Sequence, residues 1–149
     1  MKVRDVMVKA PVAMDVGATI CDAAIAMDRT AVGAVVIVDG DRPVGIVTDR
    51  DLVTRALARR LSPDARIDGV MSSGVVCVDA GAELSHVASI LATRPIRRVP
   101  VIERDRVVGM VTLDDLIVRL ANDLHNVTTG VTAQLLFGHP EPQPPMTVG

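Results

Sequence analysis

The sequence predicts an α+β protein made of two pseudo-symmetric repeats, each running strand, helix, strand, strand, helix (β-α-β-β-α). Three observations carry that expectation. Sliding the 149-residue chain by 64 positions brings polar residues into register without a gap: Asp15 with Asp79, Gly17 with Gly81, Asp41 with Asp105, Arg42 with Arg106, Thr48 with Thr112, and Arg55 with Arg119. Polar identities at one fixed offset are hard to obtain from composition, so the chain is a tandem duplication. Each copy also alternates between a 3.6-residue apolar period and short β-branched runs. Finally, Gly45-Ile-Val-Thr-Asp-Arg-Asp51 recurs as Gly109-Met-Val-Thr-Leu-Asp-Asp115, with Leu52 and Leu116 following. A glycine, an apolar pair, a threonine and an acid describe a buried strand turning into a helix.

The first strand of each repeat is short, Val12-Ala-Met-Asp15 and Val76-Cys-Val-Asp79, and Asp-x-Gly turn chemistry ends it. The helix that follows has a clean stripe: Ile20, Ala23, Ala24 and Met27 in one copy, Leu84, Val87, Ala88 and Leu91 in the other. Two apolar runs come next, Ala34–Val38 and Val44–Val47, and the Asp39-Gly40 between them is a strong hairpin signal. Their counterparts are Val99–Ile102 and Val107–Val111, where Pro100 predicts an edge strand or a break in pairing because it donates no ladder bond. The last helix of each repeat starts near Asp49 or Leu113. Residues 58–68, with a Ser62-Pro63-Asp64 turn, link the halves. This gives residues 1–64 as the first repeat with the start of the linker, 65–121 as the second, and 122–149 as a short helix and a proline-rich flexible tail. Within the last part, 127–137 predicts an apolar helix capped by Thr128 or Thr129, ahead of His139-Pro-Glu-Pro-Gln-Pro-Pro145.

Composition narrows the function classes. A net charge of −2 provides no basic field for nucleic acid or an acidic membrane. Phe137 is the single aromatic residue, so base-stacking platforms are absent and the core must be aliphatic. No apolar run approaches a membrane span and no leader pattern opens the chain, so the expectation is a cytoplasmic protein without a membrane partner. Cys21 and Cys77 occupy non-equivalent positions and read as buried apolar residues rather than a disulfide. His86, His125 and His139 show no metal spacing.

The repeated junction admits two readings. Thr48-x-x-Asp51 ahead of an apolar helix is a capping-box pattern, which stability alone would preserve. The same geometry suits a ligand: free N–H groups at a helix start favour phosphate, and a nearby carboxylate can take the two hydroxyl hydrogens of a ribose.

At these residues the chain resembles a tandem pair of cystathionine β-synthase (CBS) domains, a Bateman module. The resemblance spans roughly residues 3–121. It rests on the Asp-Val-Met and Gly-Val-Met openings at Met7 and Met71, the Gly-Ala turns at Gly17 and Gly81, the two Gly-x-x-Thr-x-x-Asp motifs, and Val99-Pro-Val101. Val35-Val-Ile37 departs from the pattern at the proline. The resemblance implies two repeats packed through their sheets and regulatory, energy-sensing binding of adenosine-containing ligands in clefts between the motifs. AMP, ADP or ATP come first; S-adenosylmethionine and NAD rank behind, and no cofactor is required. It implies that Asp51 and Asp115 hold ribose hydroxyls, that Thr48 and Thr112 contact ribose or phosphate, and that Val12 and Val76 flank the base with Val36 and Pro100. It also implies a homodimer formed through helices.

The two clefts are not equivalent in sequence. Arg50 stands beside Asp51, where the second copy has Asp114; Arg97 and Arg98 stand where the first copy has Gly33 and Ala34. A cation beside Asp51 and an acid beside Asp115 predict that the Asp51 site favours a phosphorylated ligand. Paired acids such as Asp49 and Asp51 lack a histidine or nucleophile, so an enzyme is not expected. The rival reading is a ligand-free interaction protein acting through its surface or tail. In either case the output passes to an effector protein or to oligomeric state.

Overall fold

Met7 lies against Gly109, and Met71 lies against Gly45, so each repeat places its opening methionine on the strand glycine of the other. A β-carbon on Gly45 would stand 2.9 Å from Met71 Cγ and 3.1 Å from the Ser72 carbonyl; on Gly109 it would stand 2.9 Å from Met7 Cγ. This close approach is why both glycines and both methionines recur at the 64-residue offset.

The computed structural model describes residues 1–137, in two compact units, Met1–Leu113 and a second that begins at Asp114. The first unit holds two four-stranded sheets. In one, β2 (Ala13–Asp15), β3 (Ala34–Asp39), β4 (Arg42–Thr48) and β5 (Ser72–Ser73) lie in the order β2-β3-β4-β5; in the other, β1 (Val8–Lys9), β8 (Arg106–Thr112), β7 (Arg98–Glu103) and β6 (Val78–Asp79) lie in the order β1-β8-β7-β6. Strands β1 and β5 are the exchanged pieces. β1 opens the first repeat yet pairs antiparallel with β8, while β5 opens the second and pairs antiparallel with β4.

The exchange continues upstream. Val3 and Ile67, equivalent across the repeats, are both fully buried. The Val3 N–H donates to the Ala82 carbonyl (2.9 Å), and the Ile67 N–H donates to that of Ala18 (2.8 Å). Hydrogen bonds from Lys2 and from the terminal amino group hold the Glu83 carboxyl below the usual carboxylate range. Ile67 and Val70 thus complete a core formed by Ile20, Ala23, Met27, Val35, Ile37 and Val47 of the first repeat.

Helix α1 (Ile20–Thr30) begins with a full capping box between Thr19 and Asp22. Its buried positions are Ile20, Ala23 and Met27, and α3 (Leu84–Thr93) buries Val87; Ala24 and Ala88, both expected on the core stripe, are exposed. The hairpin signal at Gly40 is realised with φ +64°. Cys21 is exposed and Cys77 half-buried; both are free thiols, and burial pushes the Cys77 thiol pKa up.

Pro100 is not at an edge, because β7 is an inner strand and Pro100 pairs with Met110 of β8, but the expected break in pairing occurs on its other side, where β6 joins only from Val101 onward. Its neighbour on the other side makes this tolerable. In the first repeat the Val36 N–H donates to the Val12 carbonyl (2.9 Å). Proline cannot supply the equivalent bond to Val76, and β6 is correspondingly shorter than β2, two residues against three.

The helix after Thr48 is irregular. It starts as α2 (Asp49–Asp51), continues as a π turn over Leu52–Ala56, and ends in a 3-10 turn over Leu57–Arg59. The second unit begins within α4, a single helix over Leu113–Phe137. The separate helix expected over 127–137 is instead the end of α4, since no glycine or proline stands between Leu113 and Thr129 and one interior glycine, Gly130, costs only about 1 kcal/mol. Thr128 does not cap a new helix; its hydroxyl donates back to the His125 carbonyl at 2.9 Å. The proline-rich stretch 139–145 lies outside the described residues. No helix among them is long and apolar enough to cross a membrane.

Candidate functional site

In the first unit, Thr48 and Asp51 share the lining of a cleft of about 270 Å³ with Arg97 and Arg98. Thr48 ends β4 and Asp51 closes the first helical turn, so the strand-to-helix junction forms one wall. The second wall is the segment Pro95–Arg98, which leads into β7, and Ser72–Val76 closes the third side. Ile46, Val75, Val76, Pro95 and Ile96 supply an aliphatic lining.

The capping reading of the junction is realised in full. The Thr48 N–H donates to Asp51 Oδ2 (2.9 Å), and the Asp51 N–H donates to Thr48 Oγ1 (3.1 Å). The other carboxylate oxygen, Oδ1, faces Arg55 Nε at 3.5 Å. Capping therefore occupies one oxygen of Asp51 and a lone pair of Thr48; the Thr48 hydroxyl hydrogen and further lone pairs of Asp51 remain for a ligand.

Arg98, from the second repeat, lines the cleft and also passes near Gly33 and Asp49 of the first. A β-carbon on Gly33 would lie 3.2 Å from Asp49 Oδ2 and 3.8 Å from Arg98 Nη2, so Gly33 gives the Asp49 carboxylate room while Arg98 passes it at ordinary contact distance. Arg97 and Arg98 place two guanidinium groups on the lining, the donor geometry suited to a phosphate.

Of the residues singled out by sequence, Thr48, Asp51, Val76, Arg97 and Arg98 come together here. Arg50 is exposed and is not part of the cleft; its N–H donates to Asp49 Oδ1 (2.8 Å) and its carbonyl accepts from the Thr54 hydroxyl (2.8 Å). The cations that line the cleft with Asp51 are thus Arg97 and Arg98 from the other repeat, not the sequence neighbour. Val36 and Pro100 are fully buried inside β3 and β7, and Val12 packs partly buried against the first-repeat core. Thr112 ends β8, and Asp115 lies in the first turn of α4. Sequence reasoning passed over Arg55, Ser72 and Ile96; the recurrence of Arg55 as Arg119 was the one signal that could have marked the first of them. Among the described residues, no three His, Cys, Asp or Glu side chains cluster as a metal site requires.

Comparison with known proteins gives the family context. The CBS domain family model matches residues 3–58 and 67–122. The uncharacterized protein YlbB of Bacillus subtilis is 39% identical over 97 residues, which cover 64% of this chain and 66% of YlbB. The solved CBS domain pair of protein MJ0100, in complex with 5′-methylthioadenosine and S-adenosyl-L-methionine, superposes with a TM-score of 0.73 at 28% identity, covering 83% of this chain and 98% of that one. The CBS domain protein PAE2072 from Pyrobaculum aerophilum, complexed with AMP, gives 0.72 at 26% identity over 82% and 99%.

Proposed function

The chain belongs to the CBS domain family as a tandem pair, and we propose that it is a regulatory module that binds a phosphorylated adenosine ligand, of the AMP, ADP or ATP class, in the Thr48–Arg98 cleft. The observation that carries this reading is the juxtaposition of a strand-end threonine and acid with two arginines across an aliphatic slot. Asp51 takes ribose hydroxyls, Thr48 donates to ribose or phosphate, Ile46, Val76 and Ile96 flank the base, and Arg97 and Arg98 meet the phosphate. A cleft of about 270 Å³ is just under the usual size of small-molecule sites, roughly 300–1,000 Å³, which favours one nucleoside over a dinucleotide such as NAD. The neighbours bound to AMP and to S-adenosyl-L-methionine support the adenosine class; the arginines favour its phosphorylated members.

A thermal shift of the full chain against AMP, ADP, ATP, S-adenosylmethionine and NAD tests the reading. A ligand at 100 times its Kd adds about 2.7 kcal/mol of stability, so AMP is expected to raise Tm and NAD to leave it unchanged. The completed capping box favours a second reading, a ligand-free interaction protein, because Thr48 and Asp51 are satisfied without any ligand. Absence of a shift with every compound selects it.

Output runs through a partner protein or through association state, with the ligand favouring one arrangement. Leu120, Leu124, Val127 and Val131 are exposed on α4 at three- and four-residue spacing, which supports a homodimer through that helix. Sedimentation velocity of the full chain is expected to give a dimer, and a monomer at tens of micromolar protein, roughly where weak interfaces already associate, contradicts it.

A further inference from the structure

We propose that Arg55 is a positioning residue that aims the Asp51 carboxylate at the ribose diol while tying it to Ser72 across the π turn; this deepens the adenosine reading and rests on it. The guanidinium works on both sides of the cleft. Its Nε faces Asp51 Oδ1 at 3.5 Å. Its Nη1 donates to the Val70 carbonyl (3.2 Å) and to Ser72 Oγ (3.1 Å). Ser72 itself lines the cleft and lies on the exchanged strand β5. One side chain therefore ties the acid of the first repeat to the opening segment of the second.

The Asp51 carboxylate is held at both oxygens. Oδ2 accepts the Thr48 N–H and Oδ1 forms an ion pair with Arg55, so one orientation of the carboxylate plane is favoured. A diol needs two acceptor directions held at once, and pre-set orientation improves affinity by lowering what binding must order.

An i,i+4 ion pair would serve in any helix and contributes little to stability. The backbone beneath this one is unusual. Leu52–Ala56 is a π turn, and the Leu57 N–H reaches both the Leu52 and Val53 carbonyls. Single π turns are rare and recur at functional sites. The equivalent stretch of the second repeat, 116–120, runs inside the uninterrupted α4. The irregularity thus occurs only in the copy whose acid stands in the cationic cleft, and it carries the residue that reaches from Asp51 to Ser72.

Titration of the full chain with AMP and with 2′-deoxy-AMP separates orientation from general support. The wild type is expected to prefer AMP by about tenfold, because a site built to bond a hydroxyl is left unpaired by its removal. In Arg55→Gln the AMP affinity is expected to fall about tenfold while the 2′-deoxy-AMP affinity falls less than about threefold, so the ratio collapses toward one. Arg55→Lys, which keeps the charge and the helix propensity, recovers part of the ratio. A preference that survives in both variants, whether affinity falls for the two ligands together or not at all, overturns the proposal. Failure of the wild type to bind either nucleotide overturns the site reading itself, and this inference with it.

Discussion

Asp51→Ala is expected to weaken AMP binding about a hundredfold and to lower stability by about 1 kcal/mol. The two effects have separate causes. Hydrogen bonds to a charged group contribute roughly 1.5–3 kcal/mol each, and about 2.7 kcal/mol corresponds to a hundredfold in Kd. The smaller effect is the lost cap, since Asp51 Oδ2 accepts the Thr48 N–H. Asp51→Asn separates them, because its side-chain carbonyl can still accept that N–H while the charge is gone. Calorimetry and melting of both variants read each effect: a variant that keeps full AMP affinity while losing stability means that Asp51 is a cap and nothing more. Asp115→Ala is expected to cost less AMP affinity than Asp51→Ala; equal losses contradict the assignment of the cationic cleft to Asp51.

Gly45→Val is expected to destabilise the fold by roughly 1–3 kcal/mol, the usual cost of forcing atoms into a packed interior. For a chain of this length that is a Tm drop of about 3–10 °C. The new β-carbon meets Met71 and the Ser72 carbonyl, and the branched methyls add to the conflict. Met71→Ala in the same chain is expected to recover part of the loss, because the thioether is the nearer obstacle and the carbonyl remains. Strict additivity of the two changes in a double-mutant cycle contradicts the contact. Gly109→Val against Met7→Ala is the mirror experiment.

The parts of the fold that sequence made legible are those written in side-chain pattern. The capping box at Thr48 and Asp51, the apolar β3, β4, β7 and β8, and the buried Ile20, Ala23 and Met27 all follow from spacing and residue type. What stayed hidden is written in backbone geometry or in long-range pairing. Strands β1 and β5 are two residues each, Val8-Lys9 and Ser72-Ser73, too short to show any period. Their exchange between sheets leaves no trace except the recurrence of methionine and glycine at one offset. The π turn at Leu52–Ala56 has no composition that distinguishes it from an α turn. Arg50 drew attention because it is adjacent to Asp51 in sequence, whereas helical geometry turns it outward and the lining arginines come from the segment that leads into β7. Pro100 suggested an edge or a break in pairing because proline lacks a donor; the break is what occurs, on the side of its short neighbour β6.

Calorimetric titration of the wild-type chain with AMP, alongside 5′-methylthioadenosine as the uncharged counterpart, tests the central claim most directly. Saturable AMP binding, with the uncharged nucleoside weaker by at least about tenfold, the equivalent of one charge-assisted hydrogen bond, is the predicted result. No heat with AMP, or equal affinity for the two, contradicts a cleft in which Asp51 holds the ribose and Arg97 and Arg98 hold the phosphate.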